Sequence, residues 1–276
     1  MSAKPTRTPT PVARKVLRVY SAVVLAFLMA PILAIVPLSF NSEPFFTYPM
    51  PGLSLQWYRE VFSSPVWQLA AGNSFVVAIC STVLATALGT MAALGLTRPE
   101  CPGRKLIAAV IVSPIVIPVV VAAVGIFYLY AGIGLLNTLT GLVLAHTALG
   151  APFVTITVAA TLAGYDHRLT RAAASLGASP VTAFRLVTLP VIMPGIVSGA
   201  IFAFVTSFDD VVVALFVSGP DQRTLPRQMW TGLREQISPS ITAVATLLIV
   251  FAAALMLTAN ALQARQQRLA KAPADA

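Results

Sequence analysis

Charge is what this sequence has least of. Asp, Glu, Lys and Arg together make up 10% of its 276 residues, where an ordinary soluble domain carries roughly a quarter. A chain so poor in charge and 57% hydrophobic has lipid as its solvent. Cysteine is nearly absent. Cys80 sits in an apolar run and Cys101 in a polar connection, so the two cannot pair, and neither has metal-ligand company. There are two histidines, His146 and His167, and neither has a Ser or Cys partner at a catalytic spacing. In its apolar run, His146 reads as a satisfied structural residue. The sequence has no G-x-x-x-x-G-K-[ST] stretch, so the chain lacks a P-loop and does not itself hydrolyse nucleotide. It has no defensible internal repeat. These absences exclude an enzyme, a metal protein and a disulfide scaffold, and no cofactor is implied.

Long apolar stretches are what the chain does have. Six are long enough to cross a bilayer, at about 20 residues each: 17–39, 69–95, 106–130, 139–162, 191–218 and 240–262. The expected fold is all-α, an integral membrane domain over 16–262. It is flanked by a disordered tail, 1–15, and a second tail, 263–276. The first run is too long for a signal peptide, and no small-x-small cleavage site follows it before Asn41.

The net charge of +9 does not imply nucleic acid, because the Lys and Arg lie in short segments between the runs. Fourteen of the eighteen fall in alternate segments: the N-terminal tail, the connections after runs two and four, and the C-terminal tail. The other segments hold four: Arg59, Arg223, Arg227 and Arg234. Positive charge stays inside, so both termini are expected in the cytoplasm, as six spans require. The three arginines of 219–239 are the exception to the rule.

Residues 40–66 form the longest external segment. In and beside it, Phe45, Phe46, Tyr48, Trp57, Tyr58 and Trp67 read as interfacial anchors or as a surface for an outer partner. Pro31, Pro37, Pro114, Pro118 and Pro152 predict kinks. Gly195 and Gly199 form a GxxxG pair, which predicts close helix contact.

Residues 164–194 are too polar to span and too long for a turn. Leu169, Ala172, Ala173 and Leu176 recur on one helical face. Gly177 supplies a stop, and Ser179-Pro180 a new start. Val181, Phe184 and Thr188 continue on one face, and Pro190 and Pro194 bend the chain into the fifth run. The reading is a two-helix hairpin of small and apolar residues, suited to a cleft on another protein or, failing that, lying on lipid. Arg171-Ala172-Ala173, three residues, Gly177, nine residues, then Val187-x-Leu189-Pro190 resembles the EAA loop of ABC importer permeases, with Arg171 in place of the usual Glu and Val187 in place of Ile. In that family the loop (here about 164–190) docks on the ATPase. The stretch from Leu189 to Pro220, with Thr224-Leu225-Pro226 and Ile237–Ile249 after it, resembles the second permease subunit of spermidine/putrescine importers. Asn73-Ser74 fits the wider family. The resemblance implies a type I importer permease fold. It also implies ATP-binding cassette subunits, a second permease and an external solute-binding protein as partners.

Within the fifth run, Asp209 and Asp210 stand side by side. At 1.5 Å per residue from Pro190, Asp209 lies about 28 Å along a helix, in the outer half of the membrane. Ionised residues there are costly and need compensation. Apart from Arg18 at the start of the first run, no Lys or Arg lies in any run, which leaves Arg223, Arg227 and Arg234 as the nearest cations. Three readings stand: a carboxylate facing a cation path, a structural pair, or a subunit interface. On the first, Asp209, Asp210 and the rings of Phe208 or Phe216 would meet a polyamine. Two other functions remain open: a permease of this class for an opine, ferric ion or amino-acid derivative, and an ion-driven carrier.

Overall fold

The computed structural model of the chain describes residues 11–45, 49–98, 100–235 and 238–271. Twelve helices run through them. They are α1 (Pro11–Leu38), α2 (Gln56–Ser63), α3 (Pro65–Leu96), α4 (Arg104–Val116), α5 (Val119–Ile133), α6 (Leu139–Ala163), α7 (His167–Ser175), α8 (Pro180–Ala183), α9 (Leu189–Phe208), α10 (Val212–Val217), α11 (Leu225–Glu235) and α12 (Pro239–Lys271). Among the described residues there is no strand, only an isolated bridge between Asn41 and Leu53. The all-α expectation holds. Of the expected tail 1–15, residues 1–10 lie outside the described residues and α1 begins at Pro11.

Five helical stretches are long and apolar enough to cross a membrane. They are Lys15–Leu38, α3, α6, the stretch from Pro180 to Phe208, and Pro239–Thr258. The run read as one span over 106–130 is instead two helices, α4 and α5, bent by 106°. The reason is local. Pro118 has no N–H, and its ring drives the residue before it out of the helical region. Ile117 accordingly sits at φ −70°, ψ 131°. Counted as one span, this bent pair would bring the crossings to six.

The chain divides into two compact units. One comprises residues 1–62 and 236–250. In it the chain turns back after α1, and the aromatics are fastened to that turn. Trp57 donates from Nε1 to the Asn41 carbonyl at 2.6 Å, and Tyr58 shares a 2.7 Å hydrogen bond with Ser39. Phe46 and Tyr48 lie outside the described residues.

The other unit, 63–235 and 251–276, is built on three helices in mutual contact, α3, α6 and α9. Small residues let them approach. A Cβ on Gly199 would stand 2.7 Å from the Val154 Cα and collide with the Thr157 hydroxyl, and one on Gly195 would collide with Thr161. The GxxxG pair is therefore a helix–helix seam, as its spacing predicts. Thr157 and Thr161 turn their hydroxyls back to Phe153 and Thr157 carbonyls at 2.9 Å, so their polar atoms are satisfied within α6. Overpacking a tight seam costs about 1–3 kcal/mol. Gly199→Ala is thus expected to lower the thermal denaturation midpoint of the detergent-purified protein, and an unchanged midpoint would show that the seam yields.

Two apolar clusters pack along these helices, and the seam lies within the first. Ala85, Val154, Val158, Ile192 and Ala203 pack at one level. Val77, Ala123, Leu142, Val213 and Val217 pack at the other, where α5 and α10 join α3 and α6. Asn73 and Ser74 of α3 tie down the connection before α11. The Asn73 amide donates to the Asp221 and Arg223 carbonyls at 2.8 and 3.0 Å. Ser74 accepts from the Leu225 N–H at 2.7 Å.

Candidate functional site

The fifth apolar run is not one helix. α9 ends at Phe208 and α10 begins at Val212, so Asp209 and Asp210 occupy a break. The expectation that they sit on one continuous helix is thereby corrected. Carboxylates compete for backbone N–H groups, and Asp210 Oδ2 takes the N–H of Ala214 at 3.0 Å, starting a new helix. Asp209 closes the old one, its N–H bonded to the Val205 carbonyl.

The break separates the two carboxylates. Asp209 is exposed, whereas the Asp210 side chain retains only 9% of its accessible surface. Its neighbour is not one of the three arginines expected as partners. Arg227 donates to Ser218 Oγ and to the Gly219 carbonyl. Arg223 donates to Gln228, and Arg234 lies over the Trp230 ring. What faces Asp210 is His146 of α6, whose Nε2 stands 3.5 Å from Oδ2. His146 Nδ1 is 2.8 Å from Ser207 Oγ of α9, and Ser207 in turn accepts from Ser81 of α3 at 2.9 Å. One polar chain thus crosses the three packed helices and ends at a carboxylate.

That carboxylate opens onto a cavity of about 390 Å³. Its walls are the α4–α5 break from Pro114 to Val119, Leu149 and Phe153 of α6, and Thr206 of α9. The volume falls in the roughly 300–1,000 Å³ range of small-molecule sites. An apolar cavity with a single carboxylate and an aromatic face suits an organic cation. Phe208 and Phe216 do not line it. The Phe208 ring packs against Phe75, Phe204 and Phe251, and Phe153 is the ring at the wall.

The second group of sequence-selected residues lies at the other end of α9, about 30 Å away along its 20 residues. Asp166 caps α7 by accepting from the Arg168 N–H at 2.9 Å. Arg171, Ala172 and Ala173 lie on α7, which ends at Ser175 with Leu176 as its cap and Gly177 just beyond. Gly177 has φ +84°, and the Ala178 N–H reaches back to the Ala173 carbonyl at 3.0 Å. Ser179 then caps α8, accepting from the Thr182 N–H, with Pro180 in the first turn. The glycine corner and the second start both match the sequence reading. A π-helical turn over Phe184–Thr188 does not follow from it. That turn holds Val187, directly before Leu189 and Pro190. Pro190 offers no N–H, and an extra residue per turn accommodates such a gap.

Tyr165 fixes the hairpin to its base through Thr170 and Thr188, at 2.6 and 3.2 Å. Phe184 packs against the apolar cluster below it. The outer face stays bare: Leu176 is 89% exposed, Leu186 73% and Val181 61%.

The sequence reading missed the link from His146 and Ser207 to Asp210. A signal was available, since His146 is the one histidine in an apolar run and Ser207 precedes the aspartates. It was hidden because a neutral imidazole carries no charge, and compensation for a carboxylate in lipid is first expected from Lys or Arg.

Comparison with known proteins bears on both ends of α9. Residues 85–271 match the family model described as binding-protein-dependent transport system inner membrane component. Over 234 residues the chain is 34% identical to the spermidine/putrescine transport system permease protein PotC of Haemophilus influenzae, covering 85% of this chain and 91% of that one. It is also 34% identical to the putrescine transport system permease protein PotI of Escherichia coli K12, covering 81% and 82%. Among solved structures it resembles a chain of a bacterial alginate ABC transporter in complex with an alginate pentasaccharide-bound periplasmic protein. There the TM-score is 0.68 at 17% identity, over 92% of this chain and 94% of that one.

Proposed function

The chain belongs to the family of binding-protein-dependent transport system inner membrane components, and from that membership we propose that it is the half of an ATP-driven importer's path that takes up a polyamine. As a family member it is a multi-pass permease subunit of the inner membrane and not an enzyme. Its working partners are ATP-binding cassette subunits, a second permease and a solute-binding protein on the outer side. The polyamine assignment draws on the names of its relatives, PotC and PotI.

The observation that carries the reading is Asp210, one buried carboxylate in the wall of a mostly apolar cavity. An aliphatic polyamine carries ammonium groups on methylene stems. The carboxylate takes an ammonium, the aliphatic wall takes the methylenes, and the Phe153 face adds cation–π attraction. Asp209, exposed beside the cavity residue, meets the cation before it enters. Phe208 acts only by packing α9 at this level.

The proposed coupling follows from α9. The hairpin α7–α8 faces the cytoplasm in this reading, which the fourteen-to-four distribution of Lys and Arg supports. Its bare Leu176, Val181 and Leu186 enter a cleft on the ATPase. Arg171, Ala172, Ala173 and Gly177 form the docking corner, and Val187, Leu189 and Pro190 join it to α9. Movement of the hairpin is carried along one rigid helix to the break at Asp210. ATP binding and hydrolysis would then alternate the side to which the cavity opens.

The test is uptake by the whole assembly. Proteoliposomes holding this chain with its ATPase, second permease and binding protein are expected to accumulate labelled putrescine only when ATP is supplied. Accumulation of a different solute with putrescine ignored would sink the polyamine assignment. Accumulation by this chain alone, driven by an ion gradient, would sink the importer reading.

A further inference from the structure

We propose that His146 is the positioning residue of the cation site: a neutral imidazole that holds the Asp210 carboxylate turned to the cavity, its own proton placed by serines on two other helices. The inference rests on Asp210 being the carboxylate that meets the substrate.

Hydrogen-bond direction carries the argument. Ser81, whose hydroxyl also lies 3.2 Å from the Ala78 carbonyl, donates to Ser207 Oγ at the shorter 2.9 Å. Ser207 is then free to give its proton to His146 Nδ1, 2.8 Å away. An Nδ1 that accepts has no hydrogen of its own, so the imidazole proton sits on Nε2. His146 is 1% exposed, and its Nε2 makes no hydrogen bond among the described residues. That N–H lies 3.5 Å from Asp210 Oδ2, close to it but not hydrogen-bonded.

A buried N–H without a partner is costly, and it persists where the site gains from it. Polar contacts of a site are often long before its ligand arrives and tighten on binding. The imidazole N–H and the Ala214 N–H approach the carboxylate from the protein side. A substrate ammonium approaches from the cavity. Asp210 is therefore held between fixed donors and a mobile cation. The imidazole adds no charge to compete with that cation, which an Arg or Lys at the same place would do. The arrangement also accounts for a carboxylate inside an apolar bundle with no full cation beside it among the described residues.

Two amide substitutions separate the arms of the imidazole. The shorter side chain of His146→Asn places its amide where Nδ1 was, so it keeps the bond to Ser207 and loses the arm to Asp210. The longer side chain of His146→Gln places its amide where Nε2 was and keeps a donor facing Asp210. In proteoliposomes of the complete transporter, His146→Asn is expected to raise the half-saturating putrescine concentration about tenfold, the scale of one lost hydrogen bond to a charged group. Maximal rate per assembled complex should stay within about twofold, and His146→Gln should recover most of the affinity. A half-saturation unchanged in His146→Asn, or equally raised in both variants, overturns the proposal.

If His146→Asn fails to assemble, Ser207→Ala provides the second reading. Without the hydroxyl the tautomer is no longer selected, and half-saturation should rise severalfold; no change overturns the proposal. Asp210→Asn separates the two levels of inference. Normal putrescine uptake in that variant removes the substrate reading itself. Impaired uptake there, with His146→Asn unaffected, removes only the role given to His146.

Discussion

Asp210→Asn is expected to abolish most putrescine uptake at low substrate while leaving the complex assembled. The substitution keeps the volume and an oxygen for the Ala214 N–H, so the start of α10 should survive. What it removes is the negative charge in an apolar wall. Hydrogen bonds to charged groups contribute about 1.5–3 kcal/mol, and at about 1.4 kcal/mol per decade that corresponds to roughly 10- to 150-fold in half-saturation. Asp209→Asn should act far more weakly. Asp209 is exposed, and its defined contact is a backbone one, its N–H closing α9 on Val205. Uptake kinetics of the two variants in the full transporter, with membrane levels measured in parallel, check both statements. Equal effects of the two substitutions would mean that burial and the cavity do not distinguish them.

The second large effect is expected at Gly177. Its φ of +84° lies in the region that side chains with a Cβ disfavour. A Cβ there would meet no other atom within 4 Å, so any cost comes from the backbone alone. For ordinary residues that is about 1–2 kcal/mol, and Val, branched at Cβ, fares worst. Gly177→Val should therefore open the corner between α7 and α8 and displace Leu176 and Val181 relative to each other. ATP-dependent uptake and substrate-stimulated ATP hydrolysis should fall together, by roughly 5- to 30-fold or more at that energy. Gly177→Asn should retain much of both, because Asn tolerates this conformation. Full uptake in Gly177→Val would show that the corner is not what the ATPase holds. Loss of uptake with the chain absent from the membrane would be a folding effect, to be separated by immunodetection.

The sequence and the structure agree most closely where chemistry is local. The hairpin was legible because its signals act over four or five residues. Gly177 ends a helix, Ser179 caps the next, and Pro180 fits a first turn, all without reference to the rest of the chain. Apolar length was equally legible, because a run of about 20 residues reports its solvent directly. Gly195 and Gly199 announced close contact, although not that Thr157, Thr161 and Val154 would meet them.

What the residues settle alone is that this chain lives in lipid, is helical and carries a capped hairpin between its fourth and fifth apolar runs. Backbone groups in hydrocarbon must bond within their own segment, and the caps are written in adjacent residues. Only the folded bundle decided the rest. The 106° bend of the third run and the break of the fifth at Asp209–Asp210 appear only there, although Pro118 supplies a local cause for the first. The bundle left Asp209 exposed and turned Asp210 to a cavity. It brought Ser81, His146 and Ser207, separated by up to 126 positions, into one polar chain. Such pairings depend on how three helices cross, and crossing is set by packing of small residues against distant partners, which no short stretch of sequence contains.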